Sequence, residues 1–185
     1  MFLDNFLRYF RYKQITKIIP SNSLICDLGC GNDFYIFKKI SKKTPSYIWG
    51  FDKKIAEKKT DKVETKKLDL EKESIPLDNN FVDMVIMSAV LEHLDNPLII
   101  LKEAFRILKP KGFLILTTPG KHSKLILEFL AFKVNLIRKE DILEHKKYYS
   151  EEEIKNLLRV CGFEKEKIKI KKFEFGLNNL VVAEK

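Results

Sequence analysis

Cysteine, glycine, proline and histidine are all scarce in this chain, and each scarcity excludes something. Of 185 residues only three are cysteine. Cys26 and Cys30 stand four apart and Cys161 is remote, so there is neither a CxxC pair nor an even disulfide framework. A reduced, intracellular compartment, the cytoplasm, is therefore expected. Seven glycines and six prolines are too few for a collagen-like or fibrous chain. Long apolar runs are missing too. The richest stretch, Leu125 to Ile137, is broken by Glu128, Lys133 and Asn135, and it falls short of the roughly 18 residues that a membrane span needs. The first twenty residues carry Asp4, Arg8, Arg11, Lys13 and Lys17, so no signal peptide is read there.

What is present is an ordinary globular balance, 45% hydrophobic and 33% charged, in a length that suits a single domain over residues 1–185. The net charge is +9. Residues 1–20 supply +3 of it and residues 121–139 supply +4. Such an asymmetry suits an anionic substrate, a nucleic acid or lipid headgroups, and equally a chain whose composition simply favours lysine.

Apolar residues Phe2, Leu3, Phe6, Leu7, Phe10, Ile15, Ile18 and Ile19 follow helical spacing up to Pro20, which predicts an N-terminal helical cap over 1–20. Ser23 to Leu28 reads as a buried strand that meets a turn at Gly29 and Gly31. A helix is expected over Phe34, Phe37 and Ile40, and further strands over Tyr47–Asp52, Lys66–Leu70 and Phe81–Met87. Asn96-Pro97 opens a helix through Leu98, Leu101, Phe105 and Leu108, and Gly112–Thr118 is the next strand. Ser150 with Glu153 forms a capping box for a helix that stops at Gly162. Two closing strands over Lys167–Phe175 and Asn179–Ala183 sit close enough to form a hairpin. The alternation implies an α/β fold: a doubly wound, mostly parallel seven-stranded sheet with an antiparallel C-terminal hairpin. Ligands in such sheets bind at the carboxyl ends of the strands.

Those ends carry a consistent set of residues. Gly29 and Gly31 allow a turn tight enough for backbone N–H groups to approach a ligand. Asp52, at the end of the second strand, can accept hydrogen bonds from both hydroxyls of a ribose. Asp69-Leu70 ends the third strand. Together they describe a nucleoside-shaped site.

At these positions the chain resembles the class I S-adenosylmethionine-dependent methyltransferases, in particular the methyltransferase type 11/12 group, whose sheet is Rossmann-like. The resemblance runs from about Arg11 to Phe163 through Ile25-Cys26-Asp27-Leu28-Gly29-Cys30-Gly31, Gly50-Phe51-Asp52, Asp69-Leu70, Ile75-Pro76-Leu77-Asp78, Leu91-Glu92-His93-Leu94 and Leu108-Lys109-Pro110-Lys111-Gly112. It implies S-adenosylmethionine as cofactor. Asp27, Gly29 and Gly31 would surround its methionine part, Asp52 its ribose, and Asp69 with the Leu70 backbone its adenine, while Ser88 and Ala89 would flank the sulfonium. Asp33 stands where the family has a third glycine; a carboxylate there calls for a cation, and Arg11 joins the donor-binding set on that ground.

The acceptor end is less defined. His93, His145 and His122 are the candidates for a general base, with His93 and His145 the preferred pair. Some quinone and RNA-ribose methyltransferases resembling this chain hold magnesium with Glu-x-x-Glu-His. Here the first carboxylate is replaced by Ala89, two ligands remain, and no metal is expected. Residues 120–147, apolar and edged with lysine and arginine, would cover the acceptor site as a lid, a dimer surface or a peripheral membrane contact. The leading expectation is methyl transfer to a small-molecule or lipid- or saccharide-linked acceptor, at oxygen, by a monomer or homodimer. An RNA methyltransferase and a catalytically silent donor-binding protein are the alternatives. A nicotinamide-dependent oxidoreductase is disfavoured, because the dinucleotide fingerprint fails at Phe34.

Overall fold

Val82–Ser88 is apolar at nearly every position, which only a strand covered on both faces can tolerate, and it lies in the middle of an eight-stranded sheet. The computed structural model describes residues 2–32, 47–134, 136 and 138–185; the helix expected over 34–40 and the position of Asp33 lie outside them. In chain order the described elements are α1 (Phe2–Thr16), β1 (Leu24–Leu28), β2 (Tyr47–Asp52), β3 (Lys58–Lys59), β4 (Val63–Lys67), β5 (Val82–Ser88), α2 (Pro97–Ile107), β6 (Leu108–Pro119), α3 (Lys124–Phe132), α4 (Lys139–Leu143), α5 (Glu151–Val160), β7 (Ile168–Phe173) and β8 (Asn178–Glu184).

The strand order is β3-β4-β2-β1-β5-β6-β8-β7. The five strands from β4 to β6 run parallel, while β3, β8 and β7 are antiparallel to their neighbours. The α/β doubly wound sheet with its terminal hairpin is thus present, with the two-residue β3 as an eighth strand. The third expected strand sits earlier, at Val63–Lys67, because Leu68 and Leu70 turn into the core beyond the strand end. β6 begins directly after α2, at Leu108, so the Lys109-Pro110-Lys111 segment belongs to the strand instead of preceding it. The N-terminal helix ends at Thr16, ahead of Pro20.

Two apolar layers sandwich the sheet. One joins Cys26, Leu28, Val85 and Met87 to Leu101, Ala104 and Leu158 under α2 and α5. The other joins Ile25, Ile48, Met84 and Ile86 to Ile15 of α1. Burying an aliphatic side chain of this size contributes roughly 1.5–3 kcal/mol relative to exposure, so alternate residues of β1 and β5 anchor opposite layers. The capping box forms as its spacing predicts: Ser150 Oγ accepts from the Glu153 N–H at 3.2 Å, and Glu153 accepts from the Ser150 N–H at 2.9 Å. This geometry fixes where α5 starts and hence where the chain entering it, residues 144–149, must lie. β1 has β2 on one side and β5 on the other. The crevice beyond its carboxyl end is the switch point where such sheets receive ligands.

Candidate active site

The turn after β1 is held by hydrogen bonds from its backbone N–H groups to β2. Gly29 N–H donates to Phe51 O at 2.8 Å, and Gly31 N–H donates to Asp52 Oδ2 at 3.0 Å. Gly29 adopts φ +75°, and a Cβ there would lie 2.3 Å from Val90 Cγ2. A glycine is needed at that position both for the left-handed backbone and for the approach of the β5 loop. Gly31, at φ +66°, has open space where its side chain would be. The loop beyond β5 is also left-handed at Ala89, φ +56°, an uncommon conformation for a residue with a Cβ. Thr117 holds it there, its carbonyl and hydroxyl oxygens accepting from the Ala89 N–H at 3.0 and 3.2 Å.

Two cavities open on this turn and share Gly29, Ala89 and His93. The first, about 470 Å³, lies under α1 and the 120–147 segment and includes Arg8, Arg11, Gly31, Ser88, Glu92 and His145 in its lining. The second, about 190 Å³, is lined by Asp52, Asp69, Leu70 and Glu144 among others. Of the residues expected to bind the donor, Asp52, Asp69 and Leu70 therefore gather in one cavity, Arg11, Gly31 and Ser88 in the other, and Gly29 faces both. Asp27 lines neither. It is buried beneath the turn, with Oδ1 lacking a hydrogen-bond partner among the described residues. Burial, and secondarily the charge of Asp52, pushes its carboxyl up to about 8.

Asp52 uses one lone pair on each oxygen, Oδ1 accepting from Lys54 N–H at 2.8 Å and Oδ2 from Gly31. A carboxylate has about four acceptor sites, so capacity for two further donors remains. Asp69 is braced by its own turn: its Oδ1 accepts from Glu71 N–H at 3.1 Å and its N–H donates to Glu73 at 2.8 Å. These residues fit an adenosine-bearing donor. Positive-φ glycines leave the backbone uncovered, a carboxylate with spare acceptors stands at the β2 end, and an orphaned buried carboxyl oxygen lies beneath the turn.

His93 and His145 stack edge to face with ring centroids 4.9 Å apart, although 51 residues separate them. The link is the chain after α4: Lys146 N–H donates to Glu92 O at 2.8 Å, and Lys147 N–H to the same oxygen at 3.3 Å. Burial first, then the charges of His93 and Arg11, pulls His145 down to about 4. Glu92, which sequence reasoning assigned no role, is buried in the wall beside them, and neither carboxylate oxygen has a hydrogen-bond partner among the described residues. Its carboxyl is raised by burial, with His93 and Arg11 offsetting part of that cost. The sequence signal for Glu92 was its place before His93, as the second carboxylate of the incomplete Glu-x-x-Glu-His pattern. Asn178 and Arg138 also enter the first cavity; Arg138 is one of the cations that edge the 120–147 segment in sequence, whereas nothing local marked Asn178. His122 lies elsewhere, in a surface hollow with Lys121, Glu151 and Lys172.

The 120–147 segment is an excursion whose ends are tied together: Gly120 bridges Tyr149, and Lys121 N–H donates to Tyr149 O at 3.1 Å. Within it Leu127 and Ala131 of α3 pack against Leu7 of α1. Leu125, Ile126 and Phe129 remain on the outer face.

Comparison with known proteins agrees with this geometry. A family described as a methyltransferase domain matches residues 3–168. The tRNA U34 carboxymethyltransferase of Helicobacter pylori (strain P12) is 30% identical over 125 residues, covering 62% of this chain and 47% of the relative. The corresponding Desulfotalea psychrophila protein is 26% identical over 120 residues, covering 60% and 37%. The chain thus spans half or less of the length of these curated relatives. Among solved structures, a SAM-dependent methyltransferase from Archaeoglobus fulgidus superposes with a TM-score of 0.72 at 18% identity, covering 97% of this chain and 93% of that one. A structure of the Haloferax volcanii Trm112 methyltransferase activator with a methyltransferase gives 0.73 at 16%, covering 96% and 90%. These two likenesses concern the fold.

One expectation is overturned. A small-molecule or lipid-linked acceptor with a peripheral membrane contact was favoured over nucleic acid, whereas the curated relatives are named for tRNA. The basic segments over 1–20 and 121–139 are equally the electrostatic footprint for a polyanion, and charge alone did not separate the two. Among the described residues no helix is long and apolar enough to cross a membrane. The chain belongs to the methyltransferase domain family, and its fold is that of the class I SAM-dependent methyltransferases.

Proposed function

We propose that this methyltransferase modifies RNA, with tRNA as its acceptor class. The observation that carries the reading is the match to the tRNA U34 carboxymethyltransferases over 125 residues. The first cavity supports it, since Arg8 and Arg138 line its wall. Guanidinium groups recognise phosphate through their fixed fork of donors, and the chain's charge of +9 raises the local concentration of a polyanion.

The donor, when bound, supplies a methyl group on a positively charged sulfur. Around it the chain's residues divide the work by position. In this reading Asp52 accepts from the ribose hydroxyls with its two remaining sites, and Asp69 with the Leu70 N–H meets the adenine edge. The Gly29–Gly31 backbone and Arg11 take the methionine end, with Asp27 beneath the turn. Ala89 and His93 stand where the two cavities meet, and Ser88 and His145 line the first cavity beside them. Alignment of acceptor and methyl carbon is the main demand of this chemistry, and positioning of this kind supplies several kcal/mol of a barrier. The 120–147 segment closes over the first cavity as its acceptor-side cover.

The test is transfer of radiolabelled methyl from S-adenosylmethionine to bulk tRNA, with nuclease-digested RNA and the Asp52→Ala variant as controls. Label retained in intact tRNA, and absent from both controls, is the expected result. Absence of label from every RNA fraction, from a protein that still binds S-adenosylhomocysteine, overturns the RNA acceptor and leaves the donor site standing.

A further inference from the structure

β8 begins at Asn178, opposite Pro119 at the carboxyl end of β6, so the turn joining β7 to β8 stands at the end of the sheet where both cavities open. Its residues are unusual for a turn. Glu174, Phe175 and Gly176 are consecutively left-handed, at φ +52°, +56° and +84°. Glycine, asparagine and aspartate meet such angles without strain, yet a glutamate and a phenylalanine fill two of the three positions. The core gives Phe175 nothing in return. Its side chain is 100% exposed, and the next most open large apolar residue among those described, Leu125, is at 78%. Strained backbone persists where its surroundings over-determine it, and it clusters at positions that meet a ligand. The bracing is visible: Gly176 N–H donates to Phe173 O at 3.1 Å, Leu177 N–H to Glu174 O at 3.1 Å, and Gly120 N–H to Leu177 O at 2.8 Å. The Glu174 carboxylate accepts from the Asn178 carboxamide. The ring is therefore held out into solvent on a rigid turn.

The turn has a cavity to either side. Asn178 lines the first cavity, while Gly176 and Asn179 line the surface hollow, about 330 Å³, that also holds Lys121, His122 and Lys172. We infer that the β7–β8 turn is a nucleotide-recognition element for the acceptor, in which Phe175 stacks on an unpaired base beside the nucleotide that enters the first cavity and the Lys121 ammonium meets the adjoining phosphate. This role rests on the reading of RNA as the acceptor class and adds to it the place where a second nucleotide is held. Proteins recognise RNA largely through unpaired bases that stack on aromatic side chains, and such stacking tolerates any sequence because every base has a π-face. Glu151 and Glu152 share the hollow and oppose an anion there. Lys172 offsets the first through an ion pair at 3.6 Å, whereas Lys121 is exposed and has no ion-pair partner among the described residues. The lining of the hollow is mainly charged and polar, which suits a nucleotide better than the apolar face of a protein partner.

The experiment measures binding of labelled bulk tRNA, a single-stranded RNA oligonucleotide and an RNA duplex by fluorescence anisotropy, for the parent and for Phe175→Ala, Phe175→Gly and Phe175→Trp. S-adenosylhomocysteine binding is followed by calorimetry and stability by thermal melting. Phe175→Ala is expected to weaken tRNA and the single strand about tenfold, as for one lost base stack, with the duplex and S-adenosylhomocysteine little changed. Phe175→Trp should keep the parent's affinity. Phe175→Gly suits the left-handed backbone, so it should melt no lower than the parent while losing the same RNA affinity; a residue that only shaped the turn would lose stability instead. Parent-like tRNA affinity in Phe175→Ala and Phe175→Gly, a loss that Phe175→Trp does not restore, or an equal loss on the duplex overturns the inference and leaves RNA as the acceptor. A parent protein that binds S-adenosylhomocysteine but no tRNA overturns the RNA reading itself, and this role with it.

Discussion

Asp52 and Gly31 are joined by a 3.0 Å hydrogen bond from the Gly31 N–H to Asp52 Oδ2, so one carboxylate shapes the glycine turn and, in the proposed function, also holds the donor ribose. Removing it acts twice, on the contact with the nucleoside and on the loop that surrounds the donor. Asp52→Ala is expected to weaken S-adenosylmethionine and S-adenosylhomocysteine at least tenfold in calorimetric titration. Asp52→Asn keeps one acceptor oxygen and should fall between the two.

Gly29→Ala places a methyl carbon 2.3 Å from Val90 Cγ2 in a backbone at φ +75°. Overpacking and left-handed strain each cost on the order of 1–3 kcal/mol, and chemical denaturation should show a loss of roughly 2–6 kcal/mol, their sum. Adding Val90→Ala relieves the clash and leaves the backbone strain, so the double variant should recover only part of the loss.

Asp27 is raised to about 8 by burial and by Asp52. Its folded-state value lies above the unfolded one, so between about 4 and 8 the folded chain holds a proton that the unfolded chain has released. Stability is then lost progressively as pH rises through that window. Asp27→Asn carries no such proton and should flatten that pH dependence, so that its melting temperature exceeds the parent's at pH 8 but not at pH 5. Donor affinity in the same variant should fall, since the resemblance places Asp27 at the donor's methionine end.

Glu153 shows the opposite sign. Hydrogen bonds from the Ser150 backbone and hydroxyl, then Lys147, hold its carboxyl down at about 2. Its contribution is fully present above the ordinary value of about 4.5 and is lost as pH falls from there toward 2. Ser150→Ala removes the cap and should cost about 1 kcal/mol at neutral pH, measured by urea denaturation, with a shallower acid transition than the parent.

Arg138 tests the acceptor reading. It lines the first cavity from the 120–147 segment. Arg138→Ala should weaken tRNA binding and reduce the slope of log affinity against log salt by about 1, as expected for one lost phosphate contact. Fluorescence anisotropy at several salt concentrations measures both.

Much of the donor end was legible in the sequence because it is built from local signals. Continuous apolar runs marked β1 and β5, paired glycines marked the turn between β1 and the donor, and Asp52 and Asp69 announced themselves as acids at strand ends. The Ser150–Glu153 spacing located α5 almost to the residue. Each of these depends on neighbours within a few positions, where backbone sterics and side-chain period decide the outcome. The grouping of Glu92 and His93 with His145 is different. It depends on Lys146 and Lys147, 54 and 55 positions along the chain, closing onto the Glu92 carbonyl, and no periodicity encodes that. The state of Asp27 likewise follows from the layer packed around it, since desolvation belongs to the whole core and not to one residue's neighbours in the chain. The sequence by itself determined the parallel sheet, the glycine turn and the acids at its edge. Tertiary structure alone decided which titratable groups are buried together, because burial and convergence are set by contacts between elements that the chain brings together only on folding.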